Sequence, residues 1–182
     1  PEELINLYSM NGKIPIIDRF FDSSNSNRKI IWSKRVLDKH VRNNTEQNIN
    51  KNKGISNYGP GISPLKWILQ AIKKYNIKNK KVCVVGSTWP WIEGLLINFG
   101  NEVLTVEYIV PTLEKNNYKL KTKSYFDFEK EENDYDVAVS FSSIEHSGLG
   151  RYGDPLNPNG DIDTMNTMYK NLKKDGLLLL GI

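Results

Sequence analysis

The segment SSIEHSGLGRYGDPLNPNGD, residues 142–161, holds one of the two histidines in a chain of 182 residues. An imidazole, with an ordinary pKa of about 6.5, is well suited to take a proton from a hydroxyl or amine near neutral pH. His146 is therefore the candidate catalytic base. Around it, Glu145 is placed to orient the ring or touch a bound group, Arg151 to pair with a phosphate or carboxylate, and Tyr152 and Asp154 to hydrogen-bond a polar small molecule. A structural reading stands beside this one, in which GDPLNPNGD makes successive turns and Asp161 caps the helix that follows. The other histidine, His40, lies in a basic amphipathic stretch and is expected to be an exposed surface residue.

A second constellation lies earlier, in VVGSTWPW. Gly86, Ser87 and Thr88 follow an apolar run and precede a helical pattern, so a backbone turn and free N–H groups of a helix start are available to an anionic group. About 20 residues downstream the next apolar run ends in Glu107, the spacing at which a carboxylate reaches ribose hydroxyls. Asp127, further on, is placed to approach an adenine amino group, and Ser142 opens the histidine loop toward the same ligand. One of Trp89 and Trp91 is expected in the core and the other beside the pocket.

These groups need elements to carry them. In SPLKWILQAIKKY, Leu65, Ile68, Leu69 and Ile72 recur at helical spacing after Ser63, a good cap, and Pro64, which fits a first helical position. KVCVVG then reads as a buried strand, and WIEGLLINFG as a helix that stops at Gly100. EVLTVEY, KSYFDF and YDVAVSFSS read as three more strands. A helix around DIDTMNTMYKNLKK carries Met165, Met168, Tyr169 and Leu172 on one face, and the turn KKDG leads into LLLLGI.

Apolar strands alternating with amphipathic helices predict an α/β fold, a doubly wound and mainly parallel sheet of Rossmann type that reads as ending at a fifth strand. In such sheets ligands sit at the carboxyl ends of the strands, where the strand order reverses. We expect this domain over residues 61–182, truncated at its C-terminal side, preceded over residues 1–60 by an extension or lid. That extension contains a possible helix in KIIWSKRVLDKHV and a polar run, residues 43–54, read as a mobile loop with almost nothing to bury.

A dinucleotide fingerprint would need glycine at the positions of Thr88 and Trp91 as well as at Gly86. The glycines that admit a pyrophosphate are missing, so NAD or FAD is disfavoured. S-adenosylmethionine carries no phosphate yet wants an acid for its ribose, and is the cofactor expected here. Gly86 would allow close approach of its methionine part, with Ser87, Thr88 and the helix N–H groups on its carboxylate and Glu107 on its ribose.

Composition narrows the classes further. The net charge is +4, from 25 basic and 21 acidic residues spread along the chain, which is weak ground for a nucleic-acid partner. KKYNIKNKK and RKIIWSKR read as solvated faces in preference to an RNA patch. The single cysteine, Cys83, excludes an internal disulfide and argues against a cysteine zinc site, so no metal is expected. No apolar run reaches the roughly 18 residues that cross a bilayer. We expect a soluble, cytoplasmic protein with no membrane partner.

The run from KVCVVGSTWPWIEGLLINFGNEVLTVEY through YDVAVSFSSIEHSGLGRYGDP to LKKDGLLLLGI resembles the core of class I S-adenosylmethionine-dependent methyltransferases. More narrowly, SNYGPGISPLKWILQAI, GSTWPW and SSIEHSGLGRYGDPLNPNGD resemble the Caenorhabditis protein of unknown function family. The broader resemblance implies a glycine-containing first motif at Gly86 to Thr88, a ribose acid at Glu107, a second acid at Asp127 and a strand-four motif over Ser142 to His146. It also implies two further strands beyond LLLLGI.

The expectation is methyl transfer to an oxygen or nitrogen of a small polar acceptor, a sugar or sugar nucleotide among the candidates, with His146 as base. The alternatives are a non-catalytic Rossmann-like module binding a nucleotide or a protein, and an RNA methyltransferase.

Overall fold

The computed structural model describes residues 2–17, 29–58 and 64–182. In chain order they form α1 (Glu2–Tyr8), β1 (Ile31–Trp32), α2 (Lys34–Asn43), α3 (Glu46–Asn50), α4 (Pro64–Lys74), β2 (Lys81–Val85), α5 (Trp91–Asn98) and β3 (Glu102–Glu107). There follow β4 (Thr112–Leu113), β5 (Leu120–Ser124), α6 (Tyr125–Phe128), β6 (Tyr135–Phe141), a short 3-10 helix (Ile144–His146), α7 (Gly160–Lys170) and β7 (Leu172–Gly181). Ser63, expected to cap α4, lies outside the described residues.

Five strands make one parallel sheet in the order β5-β3-β2-β6-β7, and β1 pairs in parallel with β4 in a second, two-stranded sheet. The chain winds outward from β2 in both directions. The crossover through α5 carries it to β3 on one side, and the crossover through α7 carries β6 to β7 on the other. Because such crossovers are right-handed, they place their helices on opposite faces of the sheet. The fold is therefore Rossmann-like and doubly wound, and its order reverses between β2 and β6.

Alternation along the strands assigns each residue to a face. Val82 and Val84 of β2 join Val103, Val137 and Val139 under Leu65, Ile68, Leu69 and Ile72 of α4 and Ile92, Leu95 and Leu96 of α5. Cys83, Val85, Leu104, Val106 and Ala138 face the other way, against Tyr125 and Phe128 of α6 and Met168 of α7. A central strand read as VCVV is apolar on both sides because it is covered on both sides. Gly100, at φ +74°, supplies the left-handed residue that ends α5.

Several expectations need correction. The segment KIIWSKRVLDKHV is not one helix: Ile31 and Trp32 are extended, and Ser33 caps α2 by accepting from the Val36 N–H. KSYFDF does not form a strand throughout, since β5 ends at Ser124, whose side chain caps the single turn α6 through the Asp127 N–H. Asn159 precedes α7 where Asp161 was expected, and Tyr169 is 80% exposed because it points away from the Met168 face. The KKDG turn survives as a bulge in β7, where Leu172 pairs with Tyr135 but Leu177 pairs with Val137.

The largest departure is at residues 43–54. Glu46–Asn50 form α3, capped by Thr45, and Ile49 is buried in the same cluster as Trp32, Leu37 and the α4 and α5 residues. Asn44 is fully buried: its amide donates to the carbonyls of Ile55 and Trp91 (2.9 and 2.8 Å), while its oxygen accepts from the Ile55 N–H (2.7 Å). His40 is also buried, its Cβ and carbonyl pressed against Gly94 of α5, where an added Cβ would come within 2.9 Å. Burial lowers its pKa to about 4, so it packs as a neutral ring.

No helix among the described residues is long and apolar enough to cross a membrane. Asn44→Ala removes three buried hydrogen bonds and is expected to destabilise the protein by about 2–4 kcal/mol, read from urea unfolding. Asn50→Ala, on the exposed side of α3, is expected to stay within about 0.5 kcal/mol of the parent.

Candidate functional site

At the carboxyl ends of β2, β3 and β6 lies a cavity of about 70 Å³. Its walls include Gly86 and Thr88 after β2, Glu107 and Tyr108 at the end of β3, and Ser142, Ser143, His146, Tyr152 and Asp154 after β6. Three separate strands thus deliver their loops to one place, at the reversal of strand order.

Gly86 has φ +82° and its N–H donates to the Val106 carbonyl (3.0 Å), which turns the chain off β2. A Cβ built there would lie 1.7 Å from Ser143 Oγ and 2.2 Å from Ser143 Cβ. Glycine at 86 is thus required for the approach of the β6 loop, and the surface expected to meet a ligand's methionine part is shared with Ser143. Ser142 is itself left-handed, at φ +47°, with its N–H donating to the Gly181 carbonyl of β7 (2.7 Å). That conformation, uncommon for a residue with a side chain, swings Ser143 across toward β2.

From behind, Trp32 donates its indole N–H to the Thr88 carbonyl (3.1 Å), fixing the first loop to the β1 segment. Trp91 is buried, edge-on to Tyr58 and Phe141 at 5.8 and 5.7 Å, whereas Trp89 is 45% exposed. This decides which tryptophan is core. Trp89 does not line the cavity.

Ser87 is buried and does not line the cavity; it faces Glu93, in the first turn of α5. Ser87 Oγ lies 3.0 Å from Glu93 Oε2, and Thr105 Oγ1 of β3 donates to Glu93 Oε1 at 2.8 Å. Burial pushes the Glu93 carboxyl up to about 8, against the opposing effect of those hydroxyls. Burial likewise pushes Glu107 up to about 7, while N–H groups of Ser87 and Tyr108 stabilise its carboxylate. Glu93 was not among the residues singled out from sequence. The signal was a lone acid inside WIEGLL, an apolar helix buried on most sides.

The histidine loop is organised by Asp154. One of its oxygens accepts from the N–H groups of Gly148 and Gly150 (2.8 and 2.9 Å) and the other from Tyr152 (3.0 Å). Read from sequence as a substrate contact, Asp154 lines the cavity yet spends its carboxylate on the loop's own backbone. Gly148 also meets Gly160 backbone to backbone, and its carbonyl accepts from the Tyr8 hydroxyl of α1. Within this frame Tyr152 stacks edge-on to His146 (6.2 Å), and the Arg151 guanidinium sits 5.0 Å from the Tyr152 ring. Glu145 Oε1 lies 3.9 Å from His146 Nε2, close enough to steer the ring without a direct hydrogen bond.

Of the expected site residues, Gly86, Thr88, Glu107, Ser142, His146, Tyr152 and Asp154 line the cavity, with Glu145 and Arg151 beside it. Asp127 does not line it: it sits exposed on α6. Tyr108, which lines the cavity and packs on Tyr125 (4.8 Å), was missed, its signal being only adjacency to Glu107. Among the described residues no cluster of histidine, cysteine, aspartate and glutamate is arranged to hold a metal. Burial pushes the Cys83 thiol up to about 12, which leaves it unreactive.

The raised acids set the pH dependence of stability. A carboxyl that holds its proton more tightly when folded favours the folded state at low pH and loses that advantage as pH rises through its folded pKa. His40, lowered to about 4 from 6.5, acts oppositely, but only below about 6.5. Unfolding free energy measured in urea is therefore expected to fall between pH 6.5 and 8, and Glu93→Gln to remove much of that fall.

The chain matches no curated protein. A family model described as Caenorhabditis protein of unknown function, DUF268, matches residues 79–182, which takes in β2 through β7 and every strand that lines the cavity. The chain, with its Glu107 and His146 brought to one crevice, belongs to that family.

Proposed function

We propose that this protein is an S-adenosylmethionine-dependent methyltransferase acting on an oxygen or nitrogen of a small polar acceptor. The observation that supports this reading most is the position of Glu107, at the carboxyl end of the strand beside the central one, in the same cavity as Gly86 and His146. A carboxylate there accepts two hydroxyl protons from a ribose diol. The lining suits an adenosine ligand without phosphates: Glu107, with the second acid Asp154 engaged by loop N–H groups, the hydroxyls of Thr88 and Ser142, the Tyr108 ring, and no lysine or arginine among the described lining residues.

When bound, the cofactor supplies an electrophilic methyl group on a sulfonium. Glu107 holds the ribose, and Thr88 and Ser142 lie along the wall that meets the rest of the ligand. His146 takes the proton that the acceptor hydroxyl or amine loses, with Glu145 steering the ring and Tyr152 supporting it from the side. Arg151, 5.0 Å from the Tyr152 ring, suits an acceptor that carries an anionic group. Rate would come mainly from positioning, with the acceptor held in line with the sulfonium and His146 within reach of its proton. The second reading, a module that binds a nucleotide without turnover, is favoured by the contact of Ser143 with Gly86, which narrows the crevice.

Calorimetric titration with S-adenosylhomocysteine tests the reading. Micromolar binding is expected, weakened tenfold or more by Glu107→Ala. Because the acid must be ionised to accept from the diol and its pKa is about 7, affinity should drop by about tenfold from pH 8 to pH 6. No binding by the folded protein would refute it. With an acceptor in hand, His146→Ala should lower turnover by about 100-fold or more with S-adenosylhomocysteine affinity unchanged; unchanged turnover would favour a role for His146 in structure alone.

A further inference from the structure

Glu93 is a carboxyl with no exposed surface, and its partners among the described residues are two hydroxyls and its own backbone N–H. Counting protons around it gives its charge state. Ser87 Oγ has one hydrogen and two oxygen neighbours, the Trp89 carbonyl at 2.8 Å and Glu93 Oε2 at 3.0 Å. The carbonyl can only accept. If Glu93 were ionised it too could only accept, and the single Ser87 hydrogen would have to be shared between both oxygens, which weakens each contact. A proton on Glu93 Oε2 resolves this: Glu93 donates to Ser87, Ser87 donates to Trp89, and Thr105 donates to the remaining carboxyl oxygen.

Ser87 also connects this carboxyl to an acid that lines the cavity. The Ser87 N–H favours the ionised form of Glu107, and its hydroxyl contacts Glu93, so Ser87 is influenced by both carboxyl groups. Thr105 and Glu107 share a face of β3, two residues apart, which sets both acids over the start of α5. Two ionised carboxylates there would repel. One neutral and one charged acid would not.

We propose that Glu93 is a positioning residue that acts as a neutral carboxylic acid, fixing Ser87 and through it the loop 86–89 and the Glu107 carboxylate. Its relevance to cofactor binding rests on the function proposed above, whereas the positioning itself does not. A charged group at 93 would push the loop away, and an apolar one would leave Thr105 without its acceptor and Ser87 without the group that donates to it. Glutamine is the conservative replacement, since its amide donates to Ser87 and its carbonyl accepts from Thr105.

Two measurements on the ligand-free protein test this. Infrared difference spectra of the parent against Glu93→Gln at pH 7 should show a protonated carboxyl C=O band in the parent that moves in deuterium oxide. Finding a carboxylate band in its place would overturn the proposal. Amide hydrogen exchange at residues 86–89 should be unchanged in Glu93→Gln and at least tenfold faster in Glu93→Leu. Equal exchange in Glu93→Leu and the parent would also overturn it. If Glu93→Leu does not fold, Ser87→Ala carries the same exchange comparison, because it removes the acceptor of the Glu93 proton. Absence of S-adenosylhomocysteine binding would count against the methyltransferase reading, and these two readouts would still decide the role of Glu93.

Discussion

The structure turns on the contact between Gly86 and Ser143. A parallel sheet whose order reverses between two neighbouring strands must open a crevice there, because the chains leaving those strands turn to opposite faces. Here the two departing loops touch again: a single methyl group at position 86 would meet Ser143 at 1.7 Å. The left-handed turn at Gly86 and the left-handed Ser142 are the two backbone conditions for that meeting. With both met, the space left between the loops is lined by Glu107 and His146.

Behind the contact, each wall has its own support. The first loop is tied back by Trp32 through the Thr88 carbonyl and by Glu93 through Ser87. The second is shaped by Asp154, which gathers three backbone N–H groups, and is pinned by Gly148 against Gly160 and Tyr8. Polar side chains that resemble ligand contacts thus hold backbone in place. The groups that remain for chemistry are few: Glu107, His146, and the hydroxyls along the rim.

Much of this was legible in the sequence wherever local pattern and tertiary role agree. VCVV and EVLTVE are strands because they are covered on both faces, and the spacing of Leu65, Ile68, Leu69 and Ile72 survives as the buried side of α4. Glu107 and His146 were legible because distance from Gly86 and position after an apolar strand fix them at the sheet's carboxyl edge. What was hidden depends on contacts between distant segments. Asn44 and Ile49 sit in a polar run, yet α5 gives Asn44 the Trp91 carbonyl, and the core gives Ile49 a place. His40 is buried because α2 lies on Gly94, a fact no window around residue 40 contains. Asp127 reads from sequence as lying near the end of a strand in KSYFDF, but Ser124 caps a helical turn there, and Asp127 sits exposed on that turn, outside the cavity lining.

The most direct measurement is a crystal structure of the protein grown with S-adenosylhomocysteine at saturating concentration. The expected density places the ribose hydroxyls within hydrogen-bonding distance of the Glu107 carboxylate, with the remainder of the ligand lying between Gly86 and the Ser142–His146 segment. A ligand bound elsewhere, or a crevice that stays closed by Ser143 on Gly86 under saturation, would contradict a cofactor site at this junction.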